Sequence, residues 1–115
     1  DITGIFAAND TMGLGAAQSV RNAGLTGKVS IISVDGITAA LHAVKDGTLT
    51  GTISQYPYAE GQMAVQACMK LVQKQTVPER IVAPIQLIDA GNADKAIASF
   101  PQPFVPFDNP VGGGR

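Results

Sequence analysis

The sequence predicts an α/β protein built on a doubly wound parallel sheet. Three observations lead there: apolar runs of strand length alternate with segments of helical period, the connections are short, and each run stops at a polar residue suited to a strand end. Residues 2–8, Ile-Thr-Gly-Ile-Phe-Ala-Ala, form the first run and stop at Asn9-Asp10, a pair suited to a helix N-cap. Over residues 11–23 the apolar positions Met12, Ala16 and Val20 recur every fourth residue, and Gly24 follows as the stop. The unit repeats with a strand over residues 28–34, closed by Asp35-Gly36. Ile37, Ala40, Leu41 and Val44 then make one helical face ending at Gly47.

A third strand over residues 49–54 is closed by Gln55-Tyr56-Pro57. Residues 58–75 carry the clearest helix, with Met63, Ala64, Ala67, Cys68, Leu71 and Val72 on one stripe before Thr76-Val77-Pro78 stops it. Cys68 is expected there as a core thiol. A fourth β-rich segment runs over residues 81–88. The last stretch changes character: Pro101, Pro103, Pro106 and Pro110 alternate with Phe100, Phe104 and Phe107, which predicts an extended segment lying on a surface. Gly112-Gly113-Gly114-Arg115 is either native chain or a cloning remnant.

The 115 residues make one domain's worth of chain, and 45% hydrophobic against 15% charged residues suits a folded protein. A formal net charge of −1 supplies no field for phosphate backbones, so no nucleic-acid partner is expected. One cysteine makes no internal disulfide and leaves the compartment open. Asp1 opens almost directly onto an apolar run, with no methionine and no signal-like segment. That points to an upstream portion.

Ligands of open α/β sheets bind beyond the carboxyl ends of the strands. The candidate binding residues are therefore Asn9 after the first strand, Asp35 after the second and Gln55 after the third, whose side chains can each serve neighbouring hydroxyls of a sugar ring. Each residue alone is also a good cap or turn former. Three successive polar strand ends are what favour a crevice. Tyr56 and Tyr58 flank Pro57 beside it, where they pin the chain or line the site, pinning being favoured.

Other motifs do not persuade. Gly13-Leu14-Gly15 lies within a predicted helix and lacks the third glycine of a dinucleotide fingerprint. His42 shares its helix face with Thr38, Lys45 and Asp46 and is expected to be solvated. One His and one Cys do not assemble a zinc site. Asn9-Asp10-Thr11 matches a glycosylation sequon by accident. With no positioned nucleophile or acid–base pair, the sequence gives no sign of an enzyme, and no cofactor is expected.

The runs Ile5-Phe6-Ala7-Ala8-Asn9-Asp10 with Gly13-Leu14-Gly15-Ala16, then Ile32-Ser33-Val34-Asp35-Gly36, then Ala43-Val44-Lys45-Asp46-Gly47 leading to Thr52-Ile53-Ser54-Gln55, resemble the latter part of periplasmic sugar-binding proteins of the ribose/galactose type. The resemblance covers about residues 1–98. It implies a two-lobed, periplasmic-binding-protein-like fold of which this chain holds the C-terminal part. Residues 1–57 would belong to the C-terminal sugar-binding lobe, 58–88 would supply a helix and strand of the other lobe with the return crossing, and 89–115 a short helix and the Pro/Phe-rich tail. It implies that Asn9, Asp35 and Gln55 hydrogen-bond a monosaccharide, and that the protein serves an ABC transporter permease from the periplasm or from a membrane tether outside the cell. The remaining partner would be the missing N-terminal portion or a second copy of the chain. The rival reading is the effector domain of a lac-repressor-like transcription regulator, which shares the fold and the Asn-Asp and Asp-Gly junctions.

Overall fold

Each of the expected strand and helix units forms. The structure, a computed structural model, describes residues 1–112; of the glycine-rich end, Gly112 to Arg115, all but Gly112 lies outside the described residues. In chain order the elements are β1 (Gly4–Phe6), α1 (Asp10–Asn22), β2 (Ser30–Asp35), α2 (Thr38–Lys45), β3 (Gly51–Ser54), α3 (Pro57–Val72), β4 (Gln86–Ile88) and α4 (Ala93–Ser99). Helix α1 starts where Asn9 Oδ1 accepts the Met12 N–H at 2.9 Å and stops at Gly24, whose φ of 69° allows Leu25 N to reach back to Val20 O at 3.0 Å.

The strands lie in the order β1-β2-β3-β4. The first three are parallel, with Phe6 beside Ile32, and Asp35 beside Ser54, so β2 and β3 finish level while β1 ends three residues earlier, opposite Ile32. Strand β4 departs from the all-parallel expectation and runs antiparallel to β3, pairing Ile53 with Leu87. It is reached through the irregular residues 73–85 after α3, and α3 has no extensive contact with any other helix or strand, so no sheet-packed crossover dictates a parallel return. The expected strand over residues 81–88 is formed only at Gln86–Ile88, where β3 offers a pairing edge.

The core gathers on one side of the sheet. Ile31, Leu49 and Ile88 are buried against Leu41 and Val44 of α2, with Ala17 of α1 and Ala96 of α4 in the same cluster. Side chains alternate along a strand, so the residues out of phase with Ile31 and Ser33 face the other way. There Ile32, Val34 and Ile53 are half-buried, and Phe6 and Leu87 are exposed. An exposed ion pair, Lys45 to Asp94 at 2.6 Å, ties α2 to α4 and adds little beside the apolar packing.

Helix α3 extends from the sheet, and the molecule is 59 Å in its longest dimension. Ala59 and Met63 are buried near its start, whereas Val65, Met69, Leu71 and Val72 are exposed. Cys68 is exposed with them, not the core thiol expected, because nothing among the described residues covers its stripe. The Pro/Phe-rich tail is irregular, as read, but it folds back. Phe104 packs against the core, Val111 is buried, and Asn109 Nδ2 donates to Gln66 Oε1 on α3 at 3.0 Å. Tyr56 pins this region: its ring is buried, and burial raises the pKa of its hydroxyl more than the nearby Phe104 backbone and Ser54 hydroxyl lower it.

Two glycines of α1 should respond oppositely to alanine. A Cβ on Gly13 would stand 2.7 Å from Ser33 Cβ, forcing α1 off β2, whereas one on Gly15 meets nothing within 4 Å. Gly13→Ala is expected to lower stability by about 1–3 kcal/mol and Gly15→Ala to raise it by about 0.5–1 kcal/mol, read as shifts of the urea midpoint. Tyr56 yields a second expectation. Since folding raises its pKa, its contribution is complete below the unfolded value and fades as pH rises above about 10. Urea titrations from pH 8 upward should show a steeper alkaline loss in the wild type than in Tyr56→Phe.

Candidate functional site

The parallel register ends β2 and β3 level at Asp35 and Ser54, and the chain leaving β1 at Phe6 reaches the same edge, where Asp10 N meets Asp35 Oδ2, so that Asn9, Asp35 and Gln55 follow three neighbouring strands. The structure thus places the three sequence-predicted residues on a common edge, each in a different setting. Asn9 is half-buried, and its Oδ1 is engaged by the Met12 N–H, so it caps α1 while its Nδ2 has no protein partner among the described residues. Asp35 is half-buried with φ at 128°, a strained region for any residue but glycine, and its Oδ2 accepts a long bond of 3.4 Å from Asp10 N. Gln55 is exposed and held to β2 through its backbone, whose N–H donates to Asp35 O at 3.4 Å.

Asp35 and Gln55 open onto a cavity of about 460 Å³, walled by Gly36, Ile37, Tyr56 and Tyr58 and, on the far side, by Phe100 and Pro101. Both tyrosines line this cavity, Tyr58 exposed and Tyr56 buried. Phe100 and Pro101 were expected merely on a surface. Their place beside Gln55 follows from the folding back of the tail, which no local pattern signals.

Behind the row lies a polar cluster that sequence reasoning missed. Asp10 has no exposed surface. Its Oδ1 accepts from Ser33 Oγ and from Thr52 Oγ1 at 2.6 Å, and its Oδ2 accepts from Ile37 N at 2.8 Å. Thr52 Oγ1 in turn accepts from Gly36 N at 3.3 Å. A buried carboxylate is tolerated only when its lone pairs are met, and here α1's own N-terminus adds a favourable dipole. The available signal was the presence of Ser33 and Thr52 at inward positions of otherwise apolar strands.

The cluster, the strand ends and the cavity provide hydrogen-bonding groups of both kinds and an apolar wall. Among the described residues, no group of three His, Cys, Asp or Glu side chains gathers as a metal site. His42 is exposed on α2, away from the row, and the glycines Gly13 and Gly15 lie within α1.

Comparison with known proteins shows the family. The chain is 44% identical over 93 residues to the fructose import binding protein FruE of Bifidobacterium longum, an overlap of 81% of this chain and 28% of that protein. It is 40% identical over 96 residues to a xylitol-binding protein of Mycolicibacterium smegmatis, covering 84% of this chain and 27% of the relative. Among solved structures, an ABC transporter periplasmic solute binding protein from Actinobacillus succinogenes with bound D-allose superposes with a TM-score of 0.78 at 38% identity, over 82% of this chain and 33% of that one. The chain therefore spans 27 to 33% of the length of these proteins. The family model described as a periplasmic binding protein domain matches residues 1–76, and the chain belongs to that family.

Proposed function

We propose that this chain is the C-terminal portion of the solute-binding component of an ABC-type sugar importer, and that Asn9, Asp35 and Gln55 hydrogen-bond the hydroxyls of a monosaccharide or related polyol. The observation that carries this reading is the common edge of three polar residues that follow neighbouring strands, two of them opening on an apolar-walled cavity. Asp35 supplies a carboxylate acceptor, and the amides of Asn9 and Gln55 can donate as well as accept. Relatives named for fructose, D-allose and ribose binding support the sugar class, and they favour the importer over the transcription regulator. They are named as binding proteins, in keeping with a chain that holds its ligand without transforming it.

In this reading residues 1–57 are part of the sugar-binding lobe, and 58–88 reach into the other lobe and return through β4. Residues 89–115 close the chain with α4 and the tail. The exposed stripe of α3 is the part that the other lobe would cover. The protein acts in the periplasm, or tethered outside the membrane, and delivers its ligand to an ABC permease.

Asp35 should matter most, because a carboxylate makes charge-assisted bonds that an amide does not. In the full-length, two-lobed protein, Asp35→Ala is expected to weaken binding of the preferred sugar by roughly a hundredfold or more, measured by calorimetry. Asn9→Ala and Gln55→Ala should each cost less affinity, and Asn9→Ala should also lower ligand-free stability by about 1 kcal/mol through its lost cap. Asp35→Asn, which keeps the side chain's shape and adds no backbone strain beyond that the aspartate already bears, should share the affinity loss with little change in fold stability. Normal sugar binding by Asp35→Ala together with a destabilised ligand-free form would make Asp35 a turn former and refute the site.

A further inference from the structure

An aspartate at φ 128° followed by Gly36 at 75° is a backbone that persists only where neighbouring bonds over-determine it. Asp10 and Thr52 supply those bonds. Asp10 N donates to the Asp35 carboxylate, Asp10 Oδ2 accepts Ile37 N, and Thr52 Oγ1 accepts Gly36 N, so every residue from 35 to 37 is tied to this pair. The pair is also bonded to itself, Thr52 Oγ1 donating to Asp10 Oδ1 at 2.6 Å. Both side chains are fully buried, so neither can touch a ligand. Their reach ends at the turn that presents Asp35.

Building on the sugar-binding reading above, we propose that Asp10 and Thr52 are positioning residues for the ligand, fixing the direction of the Asp35 carboxylate through the turn that carries it. Ligand affinity then depends on a hydroxyl and a carboxylate that the ligand never meets. Thr52→Val removes the acceptor for Gly36 N and the donor to Asp10 with little change of shape, and it frees the turn to relax from its strained backbone. Thr52→Ser retains the hydroxyl.

The test is a double-mutant cycle on the full-length protein, using the tightest-binding member of a panel of D-ribose, D-allose, D-fructose and xylitol. Thr52→Val is expected to weaken binding by roughly tenfold, and Thr52→Ser to bind like the wild type. Val44→Ala, a core substitution away from the turn that also lowers stability, should leave affinity unchanged. In the Asp35→Ala background Thr52→Val should cause no further loss, since its action runs through the missing carboxylate. An unchanged affinity for Thr52→Val, or the same loss in both backgrounds, would overturn the proposal. Asp10→Asn enters the same cycle with the same expected pattern, and failure of both variants to fold would assign the pair to stability alone. Absence of any panel binding by the wild type would remove the sugar-binding reading and this inference with it, whereas wild-type binding with Thr52→Val unaffected removes this inference only.

Discussion

A carboxylate taken wholly out of water costs several kcal/mol unless its lone pairs are met, and Asp10 meets that demand by drawing donors from three segments at once. Ser33 reaches it from β2, Thr52 from β3 and the Ile37 N–H from the entrance to α2, while Asp10 itself opens α1. Two parallel strands and the starts of two helices thus share one ion. Slipping β2 or β3 by one residue would turn Ser33 or Thr52 to the other face and leave the charge unmet, so the cluster fixes the register that ends these two strands level. The alignment of Asp35 and Gln55 is a consequence of that register.

Closeness of packing reinforces the same point. Gly13 lets α1 approach Ser33, and a Cβ on Gly36 would collide with the Ser54 side chain and stand 2.8 Å from Ser54 Cα. Both glycines sit at the borders of the polar cluster, where the backbone must pass near a strand. The strain at Asp35 is concentrated at the place where a ligand-binding residue is proposed, in keeping with the tendency of functional sites to hold backbone that packing alone would not choose.

Much of the scaffold was legible because the local signals agree with the tertiary structure. The i, i+3, i+4, i+7 face of Ile37, Ala40, Leu41 and Val44 marks α2, three of whose four residues are buried, and Gly24 and Gly47 stand at the left-handed stops the sequence assigns them. The polar strand ends were readable for the same reason. What was not readable depends on long-range partners. The direction of β4 is set by pairing with β3 across an irregular excursion, and the exposure of Cys68 reflects the absence of a covering element among the described residues, which periodicity does not report. Asp10 looked like half of a capping pair because its partners lie 23 and 42 residues away in the chain. Only the fold brings Ser33 and Thr52 to it.

The most direct measurement is a crystal structure of the full-length protein with its sugar bound. The expected result is Asn9 Nδ2, the Asp35 carboxylate and the Gln55 amide within hydrogen-bonding distance of sugar hydroxyls, with Asp10 still bonded to Ser33, Thr52 and Ile37 behind them. A sugar seated away from the ends of β1, β2 and β3, with those three side chains turned to water, would contradict it.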